Sequence, residues 1–173
     1  TWIKRAPRYF PAIETAIAKK GLPPDVRFVS VVESNLKAES FSSAGASGPW
    51  QFIVETARLF GLRRYNWTDE RRDWGRSTDA ALTYLSSLRK SLGTWTLAFA
   101  AYNAGEGRVR NAMDRQGGED FYALKLPVET ERYVFRIIAA KLILEEPARY
   151  GIDMSRADLY APLCTRDVTV EFK

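Results

Sequence analysis

Apolar residues recur along most of the chain at helical spacing, and Gly or Pro punctuates each run. Trp2 to Lys20 carries Ile3, Phe10, Ile13 and Ile17 and stops at Gly21, a residue suited to a C-terminal cap. Pro23-Pro24 opens a second predicted helix, with Asp25 in its first turn, where a negative charge meets the helix dipole favourably. Its apolar positions are Val26, Phe28, Val29 and Val32, and it should end near Asn35 or Leu36. The run Ser42-Ser43-Ala44-Gly45-Ala46-Ser47-Gly48-Pro49 predicts a loop by its turn chemistry. Core-like residues flank it on both sides, so it is not a linker.

A short helix is expected through Glu55 to Phe60, closed by Gly61, and residues 62–76, rich in Arg and aromatics, read as a surface excursion. A longer helix should start around Thr78 and run through Ala81, Leu82, Leu85 and Leu88 to Gly93. Trp95 to Tyr102 is dense in Ala, which lets neighbouring backbones approach closely, and Val109 to Met113 suggests one short helical turn. The last helix is expected over Val128 to Leu144, with Val134, Ile137, Ile138 and Leu142 as its stripe and Pro147 barring its continuation. Val168-Thr169-Val170 alternates and allows a lone strand. No internal repeat is present. The pattern predicts an all-α fold, with residues 1–163 as one domain and 164–173 as a C-terminal tail or the start of a further module.

A length of 173 residues suits that single domain. The net charge of +5 favours encounter with polyanions, which include nucleic acid, anionic lipid and peptide-bearing cell-wall glycan. Acidic residues interrupt every basic cluster, which argues against a nucleic-acid arm. No apolar stretch approaches the roughly 20 residues that span a bilayer. Cys164 is the one cysteine and there is no histidine, so an internal disulfide, the usual general base and the commonest zinc ligand are all missing. Acid/base chemistry is left to carboxylates, Lys, Tyr or Cys.

Among the carboxylates, Glu33 stands out by position. Val26 and Val29 lie seven and four residues before it, on the same face of the second predicted helix. A carboxyl group at the end of an apolar stripe is poorly solvated, which disfavours its charged form and suits a general acid. Residue types alone do not overturn the bland alternative, in which Glu33 snorkels to solvent at a helix end.

The residues around it form a series: Glu33-Ser34, then Ser42, then Gly48-Pro49-Trp50-Gln51, then Ala101-Tyr102-Asn103-Ala104-Gly105, then Glu129-Thr130-Glu131-Arg132-Tyr133-Val134. This series resembles the lytic transglycosylases of glycoside hydrolase family 23, which have a goose-lysozyme-like fold. Trp50 before Gln51 is similar to the family's membrane-bound D-type subgroup. The resemblance implies a peptidoglycan-cleaving helical domain with a substrate cleft. It assigns Glu33 as the catalytic acid and then base, acting on the β-1,4 bond between N-acetylmuramic acid and N-acetylglucosamine. Substrate-assisted attack by the muramyl 6-hydroxyl would leave 1,6-anhydromuramyl ends without consuming water, using no cofactor and no metal.

The same resemblance implies substrate-binding roles for Ser42, Gln51, Tyr102, Asn103, Glu129 and Tyr133. Tyr102 would orient or hydrogen-bond Glu33, Asn103 would contact sugar, and Glu129 and Tyr133 would line the cleft wall. Five of these residues also have a structural use: a turn hydrogen bond for Ser42, a helix cap for Gln51, a core ring for Tyr102, a left-handed helix end for Asn103, and a dipole partner for Glu129. The implied partner is the glycan strand, bound by a monomer, and no nucleic acid. The implied location is the bacterial cell envelope, periplasmic, with any membrane anchor outside this segment. Two rivals share the fold: a goose-type muramidase using water, for which Asp73, Asp79 or Glu106 would have to hold it, and a non-catalytic glycan-binding envelope module.

Overall fold

A computed structural model describes residues 1–153, 158–163 and 168 of the chain. Among the described residues the fold is all-α, as the periodicity predicts. Seven helices follow one another: α1 (Trp2–Lys19), α2 (Arg27–Ser34), α3 (Val54–Leu59), α4 (Trp74–Leu92), α5 (Trp95–Ala104), α6 (Glu106–Gln116) and α7 (Val128–Glu145). Short 3-10 turns lie at Pro24–Val26, Glu70–Arg72 and Pro147–Tyr150. Cys164 and residues 169–170 of the expected strand lie outside the described residues, and Val168 is exposed.

Helix α5 is the centre of the molecule. Leu97, Ala98, Phe99, Ala100 and Ala101 are buried in succession, as in a helix apolar on all sides. It packs against α4, α6 and α7, while α2 packs against α7 and α1. The core joins Ile13 and Ile17 of α1, Phe28 and Val29 of α2, Leu82, Leu85 and Leu88 of α4, and Trp50 from the loop before α3. Helix α1 runs through both Pro7 and Pro11, each of which removes a backbone donor. Burial of Ala6, Ile13 and Ile17 holds it together across that interruption.

The packing overturns four expectations. Residues 62–76 are not a surface excursion throughout, because Leu62 and Arg71 are buried. Helix α4 begins at Trp74 rather than near Thr78, since the Asp73 side chain accepts the Arg76 backbone N–H at 2.7 Å and caps it there. Residues 106–116 form a three-turn helix, not one short turn. On α7 the buried stripe is Thr130, Tyr133, Val134, Ile137 and Ala140, while Ile138 and Leu142 face outward. The helix is rotated so that a tyrosine and a threonine, not two more aliphatics, meet α2 and α5.

Candidate active site

Helix α2 stops abruptly after Glu33 and Ser34. Asn35 and Leu36 both take left-handed backbone angles, φ 54° and 58°, which cost an L-residue roughly 1–2 kcal/mol each. Burial of the Leu36 side chain and bonds to Asn35 offset that cost. Arg5 donates to the Asn35 carbonyl at 2.9 Å, and the Trp2 indole donates to its side-chain oxygen. The Ser34 hydroxyl lies 2.8 Å from the Pro49 carbonyl and 3.0 Å from that of Ser30, tying the helix end to the following loop.

That loop closes on itself. The Ser42 backbone N–H donates to the Ala46 carbonyl at 2.9 Å, and the Ser42 hydroxyl accepts the Ala46 N–H at 3.0 Å. Gln51 sits at φ 50°, and its amide NH2 donates to the carbonyls of Gly48 (2.8 Å) and Ser40 (3.2 Å). Two acceptors fix which way that amide points, so it braces the loop and does not cap α3.

The buried guanidinium of Arg71 holds the loop from behind. It donates to the Gly45 carbonyl at 2.8 Å and the Phe52 carbonyl at 2.9 Å, and pairs with Asp69 at 2.6 Å. Gly48 presses so closely on the Arg71 backbone that a Cβ there would meet the Arg71 oxygen at 1.8 Å. Nothing in the sequence distinguishes Arg71 from its neighbour Arg72, which is exposed.

Glu33, Ser42, Gln51, Tyr102 and Asn103 come together around one cavity of about 400 Å³, with Ala46, Phe52, Ile53, Thr56 and Tyr84. Glu33 is the one carboxylate in that lining. Part of the residue opens to the cavity, but its carboxyl is enclosed, and burial raises its pKa from 4.5 to about 7 against a smaller lowering by the Tyr133 hydrogen bond. The Tyr133 hydroxyl donates to Glu33 Oε1 at 2.5 Å. Burial and the nearby Glu33 charge push the Tyr133 and Tyr102 hydroxyls well above the usual tyrosine range, so both stay neutral donors.

The expected contact between Tyr102 and Glu33 is not the one formed. The Tyr102 hydroxyl donates to the Trp50 carbonyl at 2.8 Å, while its ring packs on Phe52 and Tyr84. The hydrogen bond to the acid comes from Tyr133, which is buried behind Glu33 and does not line the cavity. Asn103 lies within α5 and accepts a hydrogen bond from Thr130 at 3.0 Å, so it is not a left-handed helix end. Glu129 is outside the lining, exposed and paired with Arg136 at 2.8 Å.

The carboxylates that might have held a water are occupied elsewhere. Asp73 caps α4, Asp79 pairs with Lys20 at 2.8 Å, and Glu106 pairs with Arg110 and accepts from Ser91. A carboxyl enclosed in this way, with its pKa raised to about 7, can be held in either protonation state near neutral pH, which is the property that proton transfer to a ligand requires.

Comparison with known proteins identifies the family. The family described as the transglycosylase SLT domain matches residues 11–125. This chain belongs to that family. It is 38% identical over 159 residues to the membrane-bound lytic murein transglycosylase D of Escherichia coli K12, covering 89% of this chain and 35% of that protein. The chain thus spans about a third of that relative's length. Its fold matches the 70-kDa soluble lytic transglycosylase of E. coli, with a TM-score of 0.67 at 24% identity, over 87% of this chain and 26% of that one. It also matches an inactive mutant of the lytic transglycosylase Slt from Pseudomonas aeruginosa, at 0.64 and 24% identity, over 80% of this chain and 24% of that one. The all-α fold expected from the resemblance is therefore the fold observed, and it is shared with solved lytic transglycosylases. Glu129 and Tyr133 lie beyond the matched family segment.

Proposed function

We propose that this chain is a peptidoglycan lytic transglycosylase that cleaves the β-1,4 bond between N-acetylmuramic acid and N-acetylglucosamine. The observation that carries the reading is Glu33: the cavity's single carboxylate, held half-protonated near neutral pH by burial. As the acid it gives its proton to the glycosidic oxygen while the bond to the muramyl anomeric carbon breaks. The N-acetyl oxygen of the same sugar stabilises the developing positive centre, the substrate-assisted route open to sites without a second carboxylate. Glu33, now ionised, accepts the proton of the muramyl 6-hydroxyl, whose oxygen bonds to the anomeric carbon. The products are a 1,6-anhydromuramyl end and a free N-acetylglucosamine 4-hydroxyl, and Glu33 ends protonated.

Tyr133 holds the carboxyl in place through its hydrogen bond, and Tyr102 holds the Trp50 carbonyl and so the loop. Ser42, Gln51 and Asn103 are assigned to glycan contact from their place in the lining. The substrate places the protein in the periplasmic cell envelope. Its membrane-bound relative is consistent with that location.

Digestion of purified sacculi, followed by mass spectrometry of the released muropeptides, tests the reading. Anhydro ends are expected, one water lighter than reducing ends, and Glu33→Gln should release none while keeping its helical circular dichroism. Reducing ends would instead establish a water-using muramidase. Release at the native rate by Glu33→Gln would remove Glu33 from the mechanism altogether.

A further inference from the structure

One basic stretch of this molecule lies between α3 and α4. Residues 58–72 contain five arginines against Asp69 and Glu70, in a chain whose net charge is +5. Both acids are already engaged. Asp69 pairs with Arg71, and Glu70 pairs with Arg76 and accepts the Arg63 backbone N–H at 2.8 Å. Arg58 and Arg64 make no ion pair or side-chain hydrogen bond among the described residues. With Arg63 and Tyr65 they line a depression of about 420 Å³.

The most exposed large apolar side chains of the described residues stand beside these arginines. Trp67 is 97% exposed and Leu59 81%, with Tyr65 at 55%. The backbone turns back here: Arg64 bridges Asp69, and the Tyr65 N–H donates to the Thr68 carbonyl at 2.8 Å. Tyr65 and Trp67 therefore sit at the tip of a tight turn, and Arg63 donates to the Tyr65 hydroxyl at 3.2 Å.

Aromatic rings beside arginines are suited to the headgroup level of a bilayer, where ring and guanidinium stem meet apolar chains and the charged end meets phosphate. A protruding aliphatic such as Leu59 gains more from the apolar layer of a bilayer than from the hydroxyl-covered faces of a glycan. We propose that residues 58–67 form an interfacial docking surface for a bilayer rich in anionic phospholipid. No described helix is long and apolar enough to cross a membrane, and the proposed contact is made by side chains at the surface of the fold. Helix α3 gives Arg58 and Leu59 to this surface and Thr56 to the cavity, so docking holds one wall of the cleft against the lipid.

Co-sedimentation of the chain with vesicles tests the proposal without using catalysis. Binding is expected to phosphatidylglycerol–phosphatidylethanolamine vesicles and not to phosphatidylcholine alone, and it should weaken as salt rises. Each arginine near an anionic surface contributes about fivefold in affinity, so Arg58→Ser with Arg64→Ser should weaken binding about 25-fold. Trp67→Ser, which leaves the charge unchanged, should weaken it severalfold. Arg58→Lys with Arg64→Lys should retain most of it, because the charge is kept. Glu33→Gln should bind as the parent does, which separates this proposal from the catalytic one. The proposal is overturned if the parent does not sediment with anionic vesicles, or if the serine variants sediment as well as the parent. It is also overturned if those variants lose only retention on purified sacculi, which would assign the surface to carboxylates of cell-wall peptides.

Discussion

At the scale of single residues, the enclosed carboxyl of Glu33 predicts a pH profile. The acid form is the one that protonates a leaving oxygen, and with a pKa of about 7 it is lost as pH rises through that value. Muropeptide release, measured as kcat/KM, should be level below about pH 7 and fall about tenfold per pH unit above it. The Tyr133 hydrogen bond lowers the Glu33 pKa, so Tyr133→Phe should move the falling limb to higher pH. Tyr102→Phe should leave the limb in place, because that hydroxyl serves the Trp50 carbonyl. An unpaired buried carbonyl would instead cost about 1–3 kcal/mol of stability, read from denaturant unfolding. The two tyrosines were not separable in the sequence. Tyr102 has the more suggestive neighbours, while the partner of Glu33 lies 100 residues away and is selected by how α7 rotates against α2.

At the scale of elements, the loop over residues 40–52 depends on a group that no local pattern announced. Arg71 supplies hydrogen bonds to two loop carbonyls and one carboxylate from a position 2% exposed. Breaking a buried pair of this kind strands the other charge, so Arg71→Ala should cost about 3–5 kcal/mol in denaturant unfolding. Arg71→Lys should recover little, since one ammonium cannot span a fork of acceptors. Gly48→Ala should be comparably damaging, because its Cβ would overlap the Arg71 backbone oxygen and φ is +86°. Helix positions were legible because 3.6-residue periodicity survives in single segments. The start of α4 was misplaced because the Asp73 cap, not the apolar stripe, decides it. The depth of Arg71 was illegible because its acceptors are backbone carbonyls, which every residue has.

At the scale of the whole molecule, the packing of α2 against α7 is what encloses Glu33, and it does so against the protein's own stability. In the folded state the carboxyl titrates near 7, while in the unfolded chain it titrates near 4.5. Between those values the folded protein holds a proton that the unfolded chain has released, so stability falls as pH rises from about 4.5 to about 7. Below that window both states are protonated, and above it both are ionised, so this contribution is then constant. The full difference corresponds to at most about 3 kcal/mol. Glu33→Gln removes the titration while its amide oxygen still accepts from Tyr133. The variant should therefore be more stable than the parent by an amount that grows from about pH 4.5 to about pH 7 and then levels. Thermal melts should show a gain of about 6 to 12 °C at pH 8 and a much smaller one at pH 4. Equal melting temperatures at both pH values would mean that Glu33 is solvated, and the acid role assigned to it would lose its physical basis.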